Sequence, residues 1–197
     1  MRNKKLSYLI KIAMLSALAL VIMQLKFPVP FLTPPFYKLE FSDLPALIGG
    51  FALGPLAGVI IEAIKVLLNL LIDGTTTMYI GEVSNFIIGC SYILPATFLY
   101  KYIRTKKGAF IGVAVGTFTL AVAGCLLNAF VLLPVYSQVY GMPIDAIVAM
   151  GTKINAGITS VSTFVMLAVL PFNLVKGVIT SAVALLIYKP LSPLLKR

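Results

Sequence analysis

The chain has 197 residues, of which 60% are hydrophobic and only 11% are charged. A soluble domain carries about 25% charged residues, so this composition excludes a water-facing surface and indicates an all-α integral membrane protein. The length predicts a single domain over residues 1–197. The net charge of +10 does not indicate nucleic-acid binding, because the basic residues lie between and beyond the hydrophobic runs. With two cysteines and no histidine, the sequence predicts no metal site.

The first half of the chain predicts three helices separated by proline-containing breaks. An apolar helix extends from Leu6 to about Leu25 and ends at the Pro-rich segment 27–35, which cannot continue it. A short second helix is predicted over residues 42–53, because Ser42 can cap it and the following Gly-Pro interrupts the apolar run. The third helix then extends from Pro55 to about Ile72.

The second half predicts three further helices, over residues 80–102, 109–135 and 172–187. Residues 163–170 are predicted to lead into the last of them. A more polar stretch separates the final two. Within it, residues 144–158 could form a short interfacial helix or part of a seventh crossing. Hydropathy alone leaves that choice open.

Three basic clusters decide the number of crossings. One precedes the first helix, one lies at Lys101–Lys107, and one closes the chain at Lys189, Lys196 and Arg197. Six transmembrane helices place all three clusters in the cytoplasm, whereas a seventh crossing would place the last one outside. We therefore predict six transmembrane helices with N- and C-termini cytoplasmic.

Polar side chains within apolar helices are costly and are functional candidates. At about 1.5 Å of rise per residue, Asn128 lies close to the outer face, as do Asn173 and Lys176 in the first two turns of the final helix. Asn85 reaches the same level from the fourth helix. These residues predict an outer site for a flat, neutral or weakly anionic organic ligand. The alternatives are that Asn85 joins helices and that Lys176 extends to the interface.

Two other pairs lie away from this site. Glu62 and Lys65 are three residues apart near mid-bilayer, and we interpret them as a mutually neutralising structural pair. The rival interpretation is an intramembrane enzyme that uses both. Ala13 and Ala17 form a small-xxx-small face on the first helix, which serves either packing within the bundle or docking onto another membrane subunit.

Three stretches resemble a known family. Residues 38–58 (KLEFSDLPALIGGFALGPLAG), 81–85 (GEVSN) and 172–177 (FNLVKG) are similar to signatures of the riboflavin-specific S components of energy-coupling-factor vitamin transporters. The resemblance implies a non-enzymatic, six-helix subunit in the plasma membrane of a prokaryote. It implies that riboflavin is captured from outside as transported ligand, with no cofactor. The alternative within the family is another vitamin or precursor.

The resemblance also implies roles for individual residues. Asn128, Asn173 and Lys176 would hydrogen-bond the flavin, with Asn85 nearby, and Leu39, Glu40 and Phe41 would belong to a loop that covers it. Ala13 and Ala17 would dock onto a membrane-embedded coupling (T) subunit that carries two cytoplasmic ATPase subunits.

Overall fold

The computed structural model describes residues 4–75, 77–139 and 141–196, with side chains up to residue 188. This part of the chain is nearly all helical; two-residue strands β1 (Phe27–Pro28) and β2 (Lys38–Leu39) pair antiparallel within the first loop. The helices are α1 (Lys4–Met23), α2 (Asp43–Leu53), α3 (Pro55–Asp73), α4 (Ile80–Ile103), α5 (Lys106–Leu127), α6 (Leu133–Val139), α7 (Ile144–Thr152), α8 (Val161–Phe164) and α9 (Leu170–Lys196).

Five helical stretches are long and apolar enough to cross a membrane. Two of them contain π-helical turns: Asn128–Leu132 joins α5 to α6, and Val165–Val169 joins α8 to α9. The outward faces of the five are rich in exposed large apolar side chains, as a lipid-facing surface requires. The predicted helical membrane protein is confirmed.

The predicted break between α2 and α3 is confirmed. Gly54 adopts φ 108°, a conformation that side-chain-bearing residues rarely tolerate, and Pro55 begins α3 where its missing N–H costs nothing. Helix α2 has only 11 residues and is almost entirely buried between α1, α3, α4 and α9. It is the central element of the bundle.

Helices α4 and α5 approach closely along a glycine-lined seam. A Cβ atom at Gly112 would lie 2.5 Å from the Ala96 carbonyl oxygen, and one at Gly116 would lie 2.6 Å from that of Tyr92. Only glycine permits this backbone contact. The seam holds the N-terminal half of α5 in register with α4.

The predicted start of the final helix at Phe172 is wrong. The helix begins at Val161, because the Ser160 side chain accepts a hydrogen bond from the Thr163 amide (3.2 Å) and the Thr163 hydroxyl accepts one from the Ser160 amide (2.8 Å). Asn173 and Lys176 therefore lie about 18 and 22 Å along a longer helix, well beyond its first two turns.

The open question about residues 144–158 is answered by a short helix. Helix α7 spans nine residues, or about 13 Å, too short to cross a bilayer of about 30 Å. Its Ile147 and Val148 pack with Leu133 and Phe164 in a small apolar cluster. The seventh crossing is therefore not formed, and α7 instead supports the segments on either side of it.

Candidate functional site

A cavity of about 480 Å³ opens among α1, the first loop, α3, α4, the first π turn and α9. This volume is within the range of small-molecule sites. By residue type, the lining divides into two groups. The group that we call the aromatic half consists of Phe36, Tyr37, Tyr136 and Phe172 together with Asn128, Asn173 and Lys176. The group that we call the hydroxyl-rich half consists of Lys26, Asn69, Thr77, Glu82, Ser84 and Asn85.

Asn128 and Asn173 lie on the same wall of the cavity, both buried. Asn128 donates through Nδ2 to the Gly124 carbonyl (2.7 Å), and Asn173 donates through Nδ2 to the Val169 carbonyl (2.9 Å). Each amide is thus held by the turn of helix that precedes it, with a second N–H still available. The structure brings together the two asparagines that the sequence predicted.

Gly124 determines how closely these two amides approach. A Cβ atom at this position would lie 2.6 Å from Asn173 Nδ2. Gly124 was not among the predicted site residues. Its position one helical turn before Asn128 was a signal for it, because residues four apart share a helix face. Gly124 allows α9 to bring Asn173 against α5.

Both asparagines lie beside π-helical turns. Asn128 begins the turn Asn128–Leu132, and Asn173 follows the turn Val165–Val169 by four residues. The two turns contact each other. Such widened turns are frequent at functional sites, because the extra residue redirects the side chains that follow.

Asn85 lines the cavity from α4. Its Oδ1 atom is buried and has no hydrogen-bond partner among the residues that the structure describes. An amide that joined two helices would have used this oxygen. The position favours the predicted role in the site over the alternative of interhelical contact.

Lys176 belongs to a buried cluster of charges. Its Nζ lies 2.7 Å from Glu40 Oε1 and 2.9 Å from Asp43 Oδ2. Lys65 lies 2.8 Å from Asp43 Oδ1 and 2.5 Å from Glu62 Oε1, so the cluster combines three carboxylates with two ammonium groups. The alternative that Lys176 extends to the membrane interface is wrong, because its side chain is only 12% exposed and turns inward. We call these five residues the ion cluster.

The predicted pairing of Glu62 with Lys65 is confirmed, and it extends further than expected. Asp43 from α2 shares Lys65 with Glu62, and Asp43 also contacts Lys176 on α9. The cluster therefore connects α2, α3 and α9 to the loop residue Glu40. Hydropathy could not reveal this, because the partners are up to 136 residues apart.

The first loop contributes different residues from those predicted. Lys38 and Glu40 line the cavity, whereas Leu39 and Phe41 are not part of the described lining. In extended backbone, successive side chains point to opposite sides, so residues 38 and 40 face the cavity and residues 39 and 41 face away. Of the three predicted loop residues, Glu40 lies in the cavity lining, whereas this alternation turns Leu39 and Phe41 away from it. A binding role for Glu40 stays a prediction.

Phe36 and Tyr37 are the loop residues that the sequence analysis missed. The Tyr37 ring packs against Phe172 (5.8 Å between centroids) and Phe164 (6.2 Å), and its hydroxyl donates to Asn128 Oδ1. Burial raises the pKa of Tyr37 well above its ordinary value, which keeps the phenol protonated and able to donate. The loop is thus attached to Phe172 by ring packing and to Asn128 by a hydrogen bond. We call Asn128 and Asn173 the amide wall.

Ala13 and Ala17 lie on the exposed face of α1, on the side opposite to the buried Ile12, Ser16 and Ala19. Packing within the described bundle therefore does not use them. The small-xxx-small face remains accessible to another membrane subunit.

A nearly all-helical bundle with five membrane-crossing stretches and an internal cavity lined by amides and aromatic rings defines a membrane protein that binds a small organic molecule. The family model for the ECF transporter, substrate-specific component, matches residues 7–188. This chain belongs to that family. The resemblance stated from the sequence is confirmed, and membership identifies a multi-pass membrane subunit of a transporter rather than an enzyme.

Individual relatives agree over the full length. The chain is 37% identical to the riboflavin transporter RibU of Staphylococcus aureus, covering 100% of this chain and 94% of that protein. It is also 37% identical to the riboflavin transporter FmnP of Bacillus subtilis, covering 96% and 94%. A solved S component of a bacterial ECF transporter matches with a TM-score of 0.75 and 38% identity, over 98% of this chain and all of that one.

Proposed function

We propose that this chain binds riboflavin with high affinity and takes it up as the S component of an energy-coupling-factor transporter. The observation that carries the proposal is a cavity whose lining combines four aromatic side chains with Asn128, Asn173 and Lys176. An isoalloxazine ring offers flat faces for aromatic packing and a uracil-like edge for amide hydrogen bonds. Two full-length relatives named as riboflavin transporters support the same ligand.

The polar groups have capacity for such a ligand. An ammonium group has three donors, and Lys176 uses two of them on Glu40 and Asp43, which leaves one for a flavin carbonyl. The second N–H of Asn173 and the unpartnered Oδ1 of Asn85 add a donor and an acceptor. Glu40 and Tyr37 then cover the ligand from the first loop.

A flavin titration tests this function directly. We expect the purified full-length protein to quench riboflavin fluorescence at nanomolar concentration, which corresponds to about −12 kcal/mol of binding free energy. Failure to quench at micromolar riboflavin would contradict the proposal. It would favour the same scaffold with another vitamin or precursor as its ligand.

The transmembrane arrangement belongs to the same proposal: six crossings, with both termini in the cytoplasm. Helix α2 covers only about 16 Å. The extended residues 38–42 would complete this crossing, because non-helical backbone is tolerated at membrane depth where protein surrounds it. Glu40 and Ser42 are buried, which supports that location.

We further propose that Ala13 and Ala17 dock onto the coupling subunit, which carries two cytoplasmic ATPases. Replacing both alanines with leucine should prevent assembly while leaving riboflavin affinity unchanged, because neither residue lines the cavity. Co-purification with the coupling subunits would measure the first effect and fluorescence quenching the second. Ala114→Leu, on the exposed face of α5, is the matched control. Assembly that survives the double replacement would contradict the docking role.

A further inference from the structure

Glu82 belongs to the hydroxyl-rich half of the cavity lining, which contains no aromatic rings. It stands in the first turn of α4 and lines the cavity together with Thr77, Ser84 and Asn85. Flavin recognition by the aromatic half, as proposed above, leaves this carboxylate without a role. The inference below rests on that proposed function.

The Glu82 carboxylate is held in place from one side. The hydroxyls of Thr75 and Thr77 both donate to its Oε2 atom, at 3.1 and 3.2 Å. Each hydroxyl is itself oriented by backbone amides, since Thr75 Oγ1 accepts from Tyr79 N (2.9 Å) and Thr77 Oγ1 accepts from Gly81 N (3.0 Å). A carboxylate has about four acceptor positions, so further hydrogen bonds are available towards the cavity.

The backbone of this turn is strained, which indicates that its shape matters. Met78 and Tyr79 both adopt left-handed conformations, with φ of 51° and 68°. Two consecutive non-glycine residues in that region are uncommon, and such strain persists where surrounding interactions impose it. Here the hydrogen bonds through Thr75 and Thr77 impose it, and they also aim Glu82.

The local charges make this half of the cavity unfavourable for an anion at the carboxylate. Lys26, which lines the cavity just after the end of α1, is paired with Asp73 (Nζ–Oδ2 3.2 Å). Lys38 lies exposed at the rim, where solvent and salt screen its charge. In the part of the chain that the structure describes, no ammonium or guanidinium lies within 4.0 Å of Glu82, although five other ion pairs are formed.

We propose that Glu82 is a specificity-determining residue that selects the unphosphorylated vitamin over its 5′-phosphate. With the ring in the aromatic half, the ribityl chain extends into the hydroxyl-rich half. There the carboxylate accepts hydrogen bonds from the chain's hydroxyls. A phosphate on the terminal hydroxyl adds about −1.5 to −2 charges at neutral pH and removes that donor. Glu82 therefore favours riboflavin by attraction and disfavours flavin mononucleotide by repulsion.

The test is the ratio of two dissociation constants, flavin mononucleotide over riboflavin, measured by fluorescence quenching on the full-length protein. We expect a ratio of about ten or more for the unmodified protein, and a decrease of about tenfold in Glu82→Gln, which keeps the shape and removes the charge. Glu82→Asp keeps the charge and should keep the preference. Asp145→Asn removes an exposed charge outside the cavity lining and should leave the ratio unchanged.

Several outcomes would overturn the inference. They are equal affinities for both flavins in the unmodified protein, an unchanged ratio in Glu82→Gln, or an equal decrease in Asp145→Asn. If Glu82→Gln binds neither flavin, Thr77→Val decides the matter. Losing one hydroxyl that holds Oε2 should lower the ratio in the same direction, and an unchanged ratio would count against the role. An unmodified protein that binds neither flavin contradicts the proposed function itself.

Discussion

The ion cluster reaches the cavity through Glu40 and Lys176, and the amide wall lines it as well, yet the two regions use their polar groups in opposite ways. In the ion cluster, Lys65 and Lys176 each form ion pairs with two carboxylates within 2.9 Å. These carboxylates belong to α2, α3 and the first loop. In the amide wall, each asparagine donates to one carbonyl of its own helix, and Asn128 also accepts a hydrogen bond from the Tyr37 hydroxyl. The charged groups pair with each other within the chain, whereas each amide retains an N–H that a ligand could use.

The contrast between paired charges and partly unpaired amides shows that depth in the membrane does not by itself identify a binding residue. Lys65 is fully buried, and both of its ion-pair partners belong to the chain itself. Lys176 belongs to both regions, because it completes the ion cluster and also lines the cavity. Replacing a residue of the ion cluster should therefore lower folding stability, whereas replacing a residue of the amide wall should lower riboflavin affinity.

The largest effect is expected from Lys65→Met. Without this ammonium, Asp43 and Glu62 lose their shared partner in a dry interior, which should cost about 3–5 kcal/mol of folding stability. Thermal unfolding of the purified protein measures the loss. Replacing Glu62 and Lys65 together with apolar residues should restore part of it, since Asp43 keeps Lys176.

Lys26→Met is the matched control for that experiment. Lys26 also pairs with an aspartate, but its side chain is 30% exposed, and surface pairs contribute only about 0–1 kcal/mol. If both lysine replacements proved equally mild, the ion cluster would not hold the bundle together.

An intermediate effect is expected from Asn173→Ala. Riboflavin affinity should fall by about 1–3 kcal/mol, the cost of leaving polar ligand groups unpaired, with little change in thermal stability. Asn155→Ala, in the exposed loop after α7, is the control with the same change in side chain. An unchanged riboflavin affinity in Asn173→Ala would contradict a binding role for the amide wall.

The smallest effect is expected from Gly124→Ala. The added Cβ would lie 2.6 Å from Asn173 Nδ2, so the amide must shift by several tenths of an ångström. We expect riboflavin affinity to fall about tenfold, or about 1.4 kcal/mol. Thermal unfolding distinguishes this displacement from general damage: a large loss of stability would show that Gly124 serves the bundle and not the site.

The helices and the main polar residues could be predicted because they depend on local patterns. Apolar runs, the Gly54-Pro55 break and the rarity of asparagine within those runs are all visible in the sequence. The start of the final helix was missed because a Ser-Thr capping pair extended it 11 residues before Phe172.

The partners of the charged residues could not be predicted for a different reason. Glu40 and Lys176 are 136 residues apart, and their contact follows from how the first loop enters the bundle. Tyr37 likewise reaches Asn128 from 91 positions away. A single sequence supplies the residue types, whereas these pairings arise only from packing.

The short helix α2 has a consequence for how this protein enters the membrane. A segment of 11 residues that begins with an aspartate and follows a buried glutamate is a poor candidate for insertion as an independent unit. Its neighbours α1 and α3 are both long and apolar enough to insert by themselves. Biogenesis should therefore proceed in two stages, with α2 taking its place only after Lys65 and Lys176 are present to neutralise Asp43 and Glu40. The cavity would then be among the last parts of the molecule to form.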